Sequence, residues 1–365
     1  MWELVKWESR HLFRQKAIYV VLFLIACFIF LGHSVIDTSS KPAYDELEGP
    51  ISKQDITEAT AAESTAPSYY SNPYYTVLYA EQLSILQNEK ITELKKALSN
   101  TPNDPEIKKE IEYRNNLDVL YLTNYQLPEL VVEYLSSEGV IFMGALLIIG
   151  LYSIFSRDEV TGVSQYTLTS KYGRTKLVTA KIMVSFIYTL VVYLVVTLFT
   201  WTYQIYRASA NISYWKYAFE GWEAPIQFLS ELTVSPYPFS IMEYHAIQLG
   251  FLFLGSLALT LIFLAVSSVS KNSFISFLFC TAIFFVPIII VDIVKAVPRI
   301  GWLNAIYPYS PTYTMKAEAL FGTFRSIHAG SLVVIGPYLA LIITILFITG
   351  SILFLKWYVG NQKVI

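Results

Sequence analysis

Charged residues are scarce in this sequence. Asp, Glu, Lys and Arg make up only 15% of its 365 residues, whereas a soluble domain carries roughly 25%. The two cysteines, Cys27 and Cys280, both fall inside apolar runs, which excludes a disulfide framework and favours packing roles. The sequence also lacks a GxxxxGK[ST] phosphate-binding loop and an HExxH zinc motif. These absences argue against a soluble domain, nucleotide hydrolysis by this chain and a zinc protease.

The apolar residues, 54% of the chain, are gathered in long blocks. Crossing the hydrocarbon takes about 20 apolar residues in a helix, because a helix satisfies its own backbone hydrogen bonds. Six blocks qualify as spans: Ala17–Ile36, Gly139–Phe155, Leu177–Ile205, Ala246–Val266, Phe274–Val294 and Ser331–Leu355. We therefore predict an all-α polytopic membrane protein with six transmembrane helices. No A-x-A-like site follows the first block, so we expect residues 17–36 to be retained as a span.

Lysine and arginine near the span ends favour one orientation. They are concentrated before the first span, between the second and third, between the fourth and fifth, and after the sixth. Short cytoplasmic segments are rich in these residues, so both termini are predicted to be cytoplasmic. Four basic residues between the fifth and sixth spans, Lys295, Arg299, Lys316 and Arg325, weigh mildly against this orientation. We expect a multi-pass protein of a bacterial plasma membrane.

Residues 37–138, between the first and second spans, are predicted to form an extracellular region with a helical hairpin. A first amphipathic run is followed by a second, which opens with Asp104 as N-cap and Pro105 at the first helical position. Glu110 and Arg114 lie four residues apart and form a favourable helical pair. Such a hairpin serves as a spacer or dimer contact, or it binds a substrate or partner.

The 295–330 connection, before the sixth span, is rich in tyrosine and is interrupted by Pro308 and Pro311. Aromatic rings with polar tips favour the membrane–water boundary. We expect short extracellular re-entrant helices broken at the prolines. An ordinary aromatic belt at the sixth span is the alternative.

Residues 1–16 are predicted to form a cytoplasmic amphipathic helix in the membrane interface. Basic side chains and an apolar stripe with tryptophan lie on opposite faces, as in helices that lie flat on a bilayer. The two faces are Glu3, Lys6, Arg10 and Arg14 on one side, and Trp2, Val5 and Leu12 on the other.

A polar connection of defined pattern, residues 156–176, joins the second and third spans. It lies within the stretch FSRDEVTGVSQYTLTSKYGRTKLVTAK, from Phe155 to Lys181. Helix-end electrostatics and the orientation rule explain the signs of its charges but not their order. That order resembles the type-2 ATP-binding-cassette (ABC) exporter permeases through Phe155, Arg157, Asp158, Glu159, Gly162, Leu168, Ser170, Arg174 and Lys181. Val163, Ser164 and Lys171 depart from the usual pattern, which leaves the subfamily and its substrate open.

The resemblance implies a function and a set of partners. The connection would be a coupling helix seated in a cleft of a separate ATPase subunit, with Glu159 paired to a basic residue there and Gly162 allowing close approach. Two ATPase copies would bind ATP and Mg, and a second permease chain, identical or homologous, would complete the transporter. This chain would need no cofactor of its own. The implied ATPase-coupling residues are Arg157, Asp158, Glu159, Gly162 and Arg174.

Two other functions are weighed against ABC export. An ion-coupled carrier usually has ionisable residues in mid-membrane, and these spans have them only at their ends. A non-transporting membrane anchor or sensor is the second alternative. No nucleic-acid partner is expected, while the lipid bilayer is an obligate one.

The sequence says least about the substrate. Aromatic residues of the third and fifth spans, among them Tyr188, Tyr193, Phe277 and Phe284, would give an apolar path for an amphipathic or hydrophobic cargo such as a peptide or lipid-like molecule. The same residues are ordinary packing residues in helices, and both interpretations are left open.

Overall fold

The computed structural model describes residues 1–31, 49–62, 73–162, 173–208, 219–296, 303, 305–329 and 332–361. Its helices are α1 (Trp2–Phe13), α2 (Lys16–Leu31), α3 (Lys53–Ala62), α4 (Pro73–Asn100), α5 (Pro105–Asn115), α6 (Gln126–Tyr134), α7 (Val140–Leu151), α8 (Ser156–Val160), α9 (Gly173–Ala208), α10 (Ile241–Val269), α11 (Ser273–Ala296), α12 (Pro311–Lys316), α13 (Glu318–Phe321) and α14 (Gly336–Gly360). Two short antiparallel ladders, not expected from the sequence, pair β1 (Gly49–Pro50) with β2 (Tyr121–Leu122) and β3 (Ser326–Ala329) with β4 (Leu332–Ile335). The fold is otherwise helical, as predicted.

Five helices in the described ranges are long and apolar enough to cross a membrane. They are Gln126–Asp158, Thr175–Arg207, Ile241–Val269, Ser273–Val291 and Gly336–Gly360. The first three contain the predicted second, third and fourth spans, and the last two overlap most of the predicted fifth and sixth spans. The predicted first span begins in α2, which is apolar but shorter, and runs on into residues outside the described ranges. The chain is therefore a multi-pass membrane protein, and its first span, residues 17–36, stays a prediction.

The second spanning segment occupies the centre of the bundle. Within its apolar window, 72% is buried by the rest of the protein, against 22% for α11 and 17% for α14. Two glycines let neighbours approach it. A Cβ at Gly144 would lie 2.6 Å from Cε1 of Phe284, and one at Gly150 would lie 2.5 Å from the hydroxyl oxygen of Tyr188. Small residues at such positions bring helices together in membranes, where packing drives association.

That segment begins earlier than the sequence indicated. It opens at Gln126 rather than Gly139 and includes a π turn, Leu135–Gly139, between α6 and α7. Ser136 in the turn donates to the carbonyl oxygen of Lys316 at 3.3 Å and accepts from Gln248 at 2.7 Å. The predicted boundary of the outer region at residue 138 therefore falls inside a continuous helical segment, because polar side chains of the π turn find partners within the protein.

Where the hairpin of the insertion was predicted, the structure forms the two helices α4 and α5. Asp104 caps α5 by accepting from the amides of Glu106 and Ile107 at 2.9 and 3.3 Å. The pair of Arg114 with Glu110 has an N–O distance of 2.7 Å. The second helix ends at Asn115, and the chain then forms strand β2.

The hairpin packs against the end of the bundle where α10 begins. Gln87 donates to the carbonyl oxygen of Thr233 at 2.8 Å. Buried Arg114 donates to the carbonyl oxygen of Val234 at 3.1 Å and to Gln87 Oε1 at 2.5 Å. Two polar side chains thus fix the hairpin to the connection that precedes α10.

The expected short helices of the 295–330 connection are present as a turn at Tyr307–Tyr309 followed by α12 and α13. The break between the two helices lies at Ala317, whose φ is +61°. Strand β4 then occupies residues that the sequence assigned to the sixth span, and α14 begins at Gly336 with proline in its first turn.

Candidate functional site at the basic end of the bundle

The end of the bundle that carries α1, α8 and the α10–α11 turn is called the basic end here. The 156–176 connection begins at this end, and hydrogen bonds hold its first residues, called its base below, in place. The amides of Phe155 and Ser156 both donate to Ser267 Oγ, at 3.0 and 3.2 Å, and Ser156 Oγ bonds Ser273 Oγ at 3.1 Å. The start of the connection is therefore held by α10 and α11.

Lys181, on the third turn of α9, lies against that base and has no exposed surface. Its ammonium group is 2.6 Å from Asp158 Oδ2, donates to the carbonyl oxygen of Ile154, and lies 4.8 Å from the centre of the Phe155 ring. An isolated buried ammonium group is costly, whereas one that is paired and hydrogen-bonded is tolerated. Asp158 is therefore engaged inside the protein.

A second carboxylate approaches the same ammonium group from the interfacial helix. Glu8 on α1 is 5% exposed, and its Oε1 lies 3.8 Å from Lys181 Nζ. Burial raises the pKa of Glu8; Lys181 and Arg157 oppose that shift and Asp158 reinforces it. Burial also lowers the pKa of His11 on the same helix, with Arg157 acting in the same direction. Charges from α1, α8 and α9 thus meet at one point.

The predicted coupling residues are only partly brought together. Arg157 and Asp158 are half-buried in α8. Gly162 closes the turn after α8 with φ at +74°, a conformation that favours glycine, and a Cβ there would meet nothing within 4 Å. The side chains of Glu159 and Arg174, and residues 163–172 of the connection, lie outside the described ranges.

Residues Trp2–Phe13, predicted to lie in the membrane interface, form helix α1 with a different arrangement of faces. Lys6 pairs with Glu3 at 3.2 Å on its exposed side, where Arg10 and Arg14 also lie. The buried residues of the helix are Val5, Glu8 and Leu12, while Trp2 is 62% exposed. The expectation that Trp2 shares the face of Val5 and Leu12 is corrected: a charged residue belongs to that face instead.

Sequence reasoning missed Glu8, although a signal was present. It lies three residues after Val5 and four before Leu12, so it falls on the apolar stripe of the helix. A charged residue in such a stripe needs a partner when the stripe is buried. Its partner, Lys181, is part of the family pattern, and nothing in the sequence links that lysine to Glu8.

Two of the four residues predicted to line a substrate path are packing residues. Tyr188 is 1% exposed and donates to the carbonyl oxygen of Leu146 at 2.7 Å, and Phe284 is fully buried. Both fill the space left by glycines of α7, and they are inaccessible from a surface shared with another chain. Tyr193 and Phe277 are half-buried, so their path role stays a prediction.

His245, at the opposite end of the bundle, is buried, and its ring nitrogens both have hydrogen-bond partners there. Trp201 Nε1 donates to His245 Nε2 at 3.1 Å, and His245 Nδ1 lies 2.8 Å from Gln248 Oε1. Since an indole N–H can only donate, Nε2 accepts and Nδ1 carries the proton. Gln248 then donates to the carbonyl oxygen of Val132 at 3.0 Å. His245 therefore has a structural role.

The sequence matches a known family over most of its length. The ABC-2 family transporter proteins match residues 50–355, a range that includes the helical hairpin, the 156–176 connection, four of the five long apolar helices and most of the fifth. The chain belongs to this family, so it is an ABC permease subunit, and permeases of the family work with an ABC ATPase subunit. No curated protein and no solved structure matches the chain. Among the described residues, no three His, Cys, Asp or Glu side chains are grouped to hold a metal ion.

Proposed function

We propose that the chain is the permease subunit of an ABC exporter in the plasma membrane, with both termini in the cytoplasm. Membership of the ABC-2 family carries the proposal. The sequence has no phosphate-binding loop, so the energy comes from ATP and Mg bound by the partner ATPase. The basic end of the bundle faces that ATPase.

The 156–176 connection is the proposed contact with the ATPase. Its base is fixed by Ser267 and Ser273, so force applied to α8 reaches α10 and α11 through a short path. Asp158 is bound to Lys181 inside the protein. Of the acidic pair, Glu159 is therefore the residue proposed to meet a basic side chain of the ATPase, with Arg157, Gly162 and Arg174 beside it.

Two ATPase copies and a second permease chain, identical or homologous, complete the proposed transporter. The helices α11 and α14 present most of their apolar surface outside the protein. That surface is available to lipid and to a second permease. The cargo is an amphipathic or hydrophobic molecule, a peptide or a lipid-like compound, that moves along the interface between the two permease chains.

Charge reversal at Glu159 tests the contact. Glu159→Lys is expected to abolish copurification of the ATPase, or to leave ATP hydrolysis without transport, while membrane insertion stays normal. Glu89→Lys is the matched control, because Glu89 is an exposed glutamate of the outer hairpin, at the other end of the protein. A Glu159→Lys complex that assembles and transports as the control does would show that Glu159 is not the contact.

A further inference from the structure

One ammonium group at the basic end is shared by two carboxylates from different parts of the chain. Asp158 belongs to α8, at the start of the 156–176 connection, and Glu8 belongs to the interfacial helix α1. Lys181 lies between them, 2.6 Å from Asp158 Oδ2 and 3.8 Å from Glu8 Oε1. No solvent reaches the lysine side chain. Its charge is therefore balanced by these two carboxylates.

The donors of Lys181 match the available acceptors. An ammonium group has three N–H donors and no acceptor. Asp158 and the carbonyl oxygen of Ile154 take two of them. The Glu8 carboxylate is within ion-pair range of the same nitrogen. The last turn of the second span, the connection and α1 thus converge on one group.

The other hydrogen bonds of residues 156–162, the described start of the connection, do not involve α1. Ser267 and Ser273 tie its base to α10 and α11, but neither residue belongs to α1. Apolar residues Val5 and Leu12 pack α1 against the bundle without fixing a particular register, since apolar contacts are non-directional. The ion cluster is directional and depends on distance, and such groups specify geometry more than they add stability.

We propose that Lys181 is a positioning residue that ties the 156–176 connection to the interfacial helix, with Glu8 as its attachment point on α1. A displacement of α8 then moves the start of α9 and α1 together. The proposed function supplies the source of that displacement, the ATPase; the linkage itself is a property of this chain alone.

The linkage is tested first on the permease alone, in lipid nanodiscs, by amide hydrogen exchange. Lys181→Met keeps an unbranched apolar stem and removes the charge. It is expected to raise exchange in both α8 and α1 by about tenfold, as local opening becomes easier. Glu8→Gln preserves shape and is expected to raise exchange in α1 only. The control is Lys176→Met, because Lys176 is an exposed lysine on α9, the helix that also carries Lys181.

Two results would overturn the linkage. One is exchange in α1 that is the same in Lys181→Met, Glu8→Gln and the control. The other is an effect of Lys181→Met that stays within α8. Lys181→Arg keeps the charge and is expected to restore part of the protection in α1. If Lys181→Met does not fold, Glu8→Gln against Lys176→Met still decides the question.

A second measurement uses the complex with the ATPase that copurifies. Glu8→Gln is expected to keep ATPase binding and to lower transport per ATP hydrolysed by severalfold, because α8 moves without α1. An unchanged ratio would contradict the mechanical role. The proposed function and the linkage can be refuted independently. If no ATPase partner binds the permease, the proposed function is wrong, but the exchange experiment on the permease alone still tests the linkage.

Discussion

Replacing Gly150 by alanine tests whether Tyr188 is a packing residue or part of a substrate path. The added Cβ would lie 2.5 Å from the Tyr188 hydroxyl oxygen, closer than any real contact. The ring must move, and its hydrogen bond to the Leu146 carbonyl, 2.7 Å long, breaks. We expect a loss of stability, with transport falling only as far as folded protein is lost.

The magnitude follows from three contributions. Overpacking a filled core costs about 1–3 kcal/mol. A buried hydroxyl without a partner costs about 1–3 kcal/mol. Alanine in place of a helical glycine returns about 1 kcal/mol. The expected net loss is about 3 kcal/mol, which is a large share of the stability of a typical domain.

The assay is reversible unfolding in mixed detergent micelles, followed by tryptophan fluorescence. Gly250→Ala is the matched control, because a Cβ at this helical glycine would meet nothing within 4 Å. In a Tyr188→Leu background, the cost of Gly150→Ala is expected to shrink, since the two changes concern one contact. A Gly150→Ala protein as stable as Gly250→Ala, with altered transport, would refute the packing role.

Three further predictions concern the other parts of the protein. Arg114→Met is expected to cost about 3 kcal/mol by leaving the half-buried Glu110 carboxylate and the acceptors of Gln87 and Val234 without their donor. It is also expected to expose the hairpin to limited proteolysis, unlike Lys90→Met on its exposed surface. Burial raises the pKa of Glu318 to about 7. As pH rises, Glu318 loses its proton in the unfolded chain before it does so in the folded protein. The free energy of unfolding is therefore expected to fall by about 3 kcal/mol between pH 4.5 and 7. Unfolding curves of Glu318→Gln at both pH values should lack this fall. Gly162→Ala is expected to cost about 1 kcal/mol, because its φ is +74°, and Gly162→Asn less, both measured by unfolding.

Outcomes that contradict these predictions are equally specific. A hairpin that resists protease after Arg114→Met would mean that apolar packing alone holds it in place. An unchanged pH slope in Glu318→Gln would assign the slope to other groups. Equal stability of the alanine and asparagine variants at Gly162 would remove the strain argument.

Local patterns in the sequence determined the elements of this protein. Blocks of apolar residues specify membrane-spanning helices because the hydrocarbon demands length and composition over one contiguous segment. Asp104 and Pro105 specify a helix start because a cap involves only neighbours along the chain. The pattern from Phe155 to Lys181 indicated the family for the same reason. Each of these signals is contained within a few turns of helix.

Only the tertiary structure decided which side chains meet. Glu8 and Lys181 are far apart along the chain, as are Gly150 and Tyr188, and no local pattern pairs them. The sequence places Tyr188 on a membrane span, but it does not tell whether the side chain faces the protein or the lipid. Nearly every residue of a membrane helix is apolar, so no polar side marks the exterior. It also could not show that the hairpin is fixed by Arg114, because the acceptor is a backbone carbonyl, which every residue has. Contacts of this kind depend on how the helices cross, and only the folded chain sets that geometry.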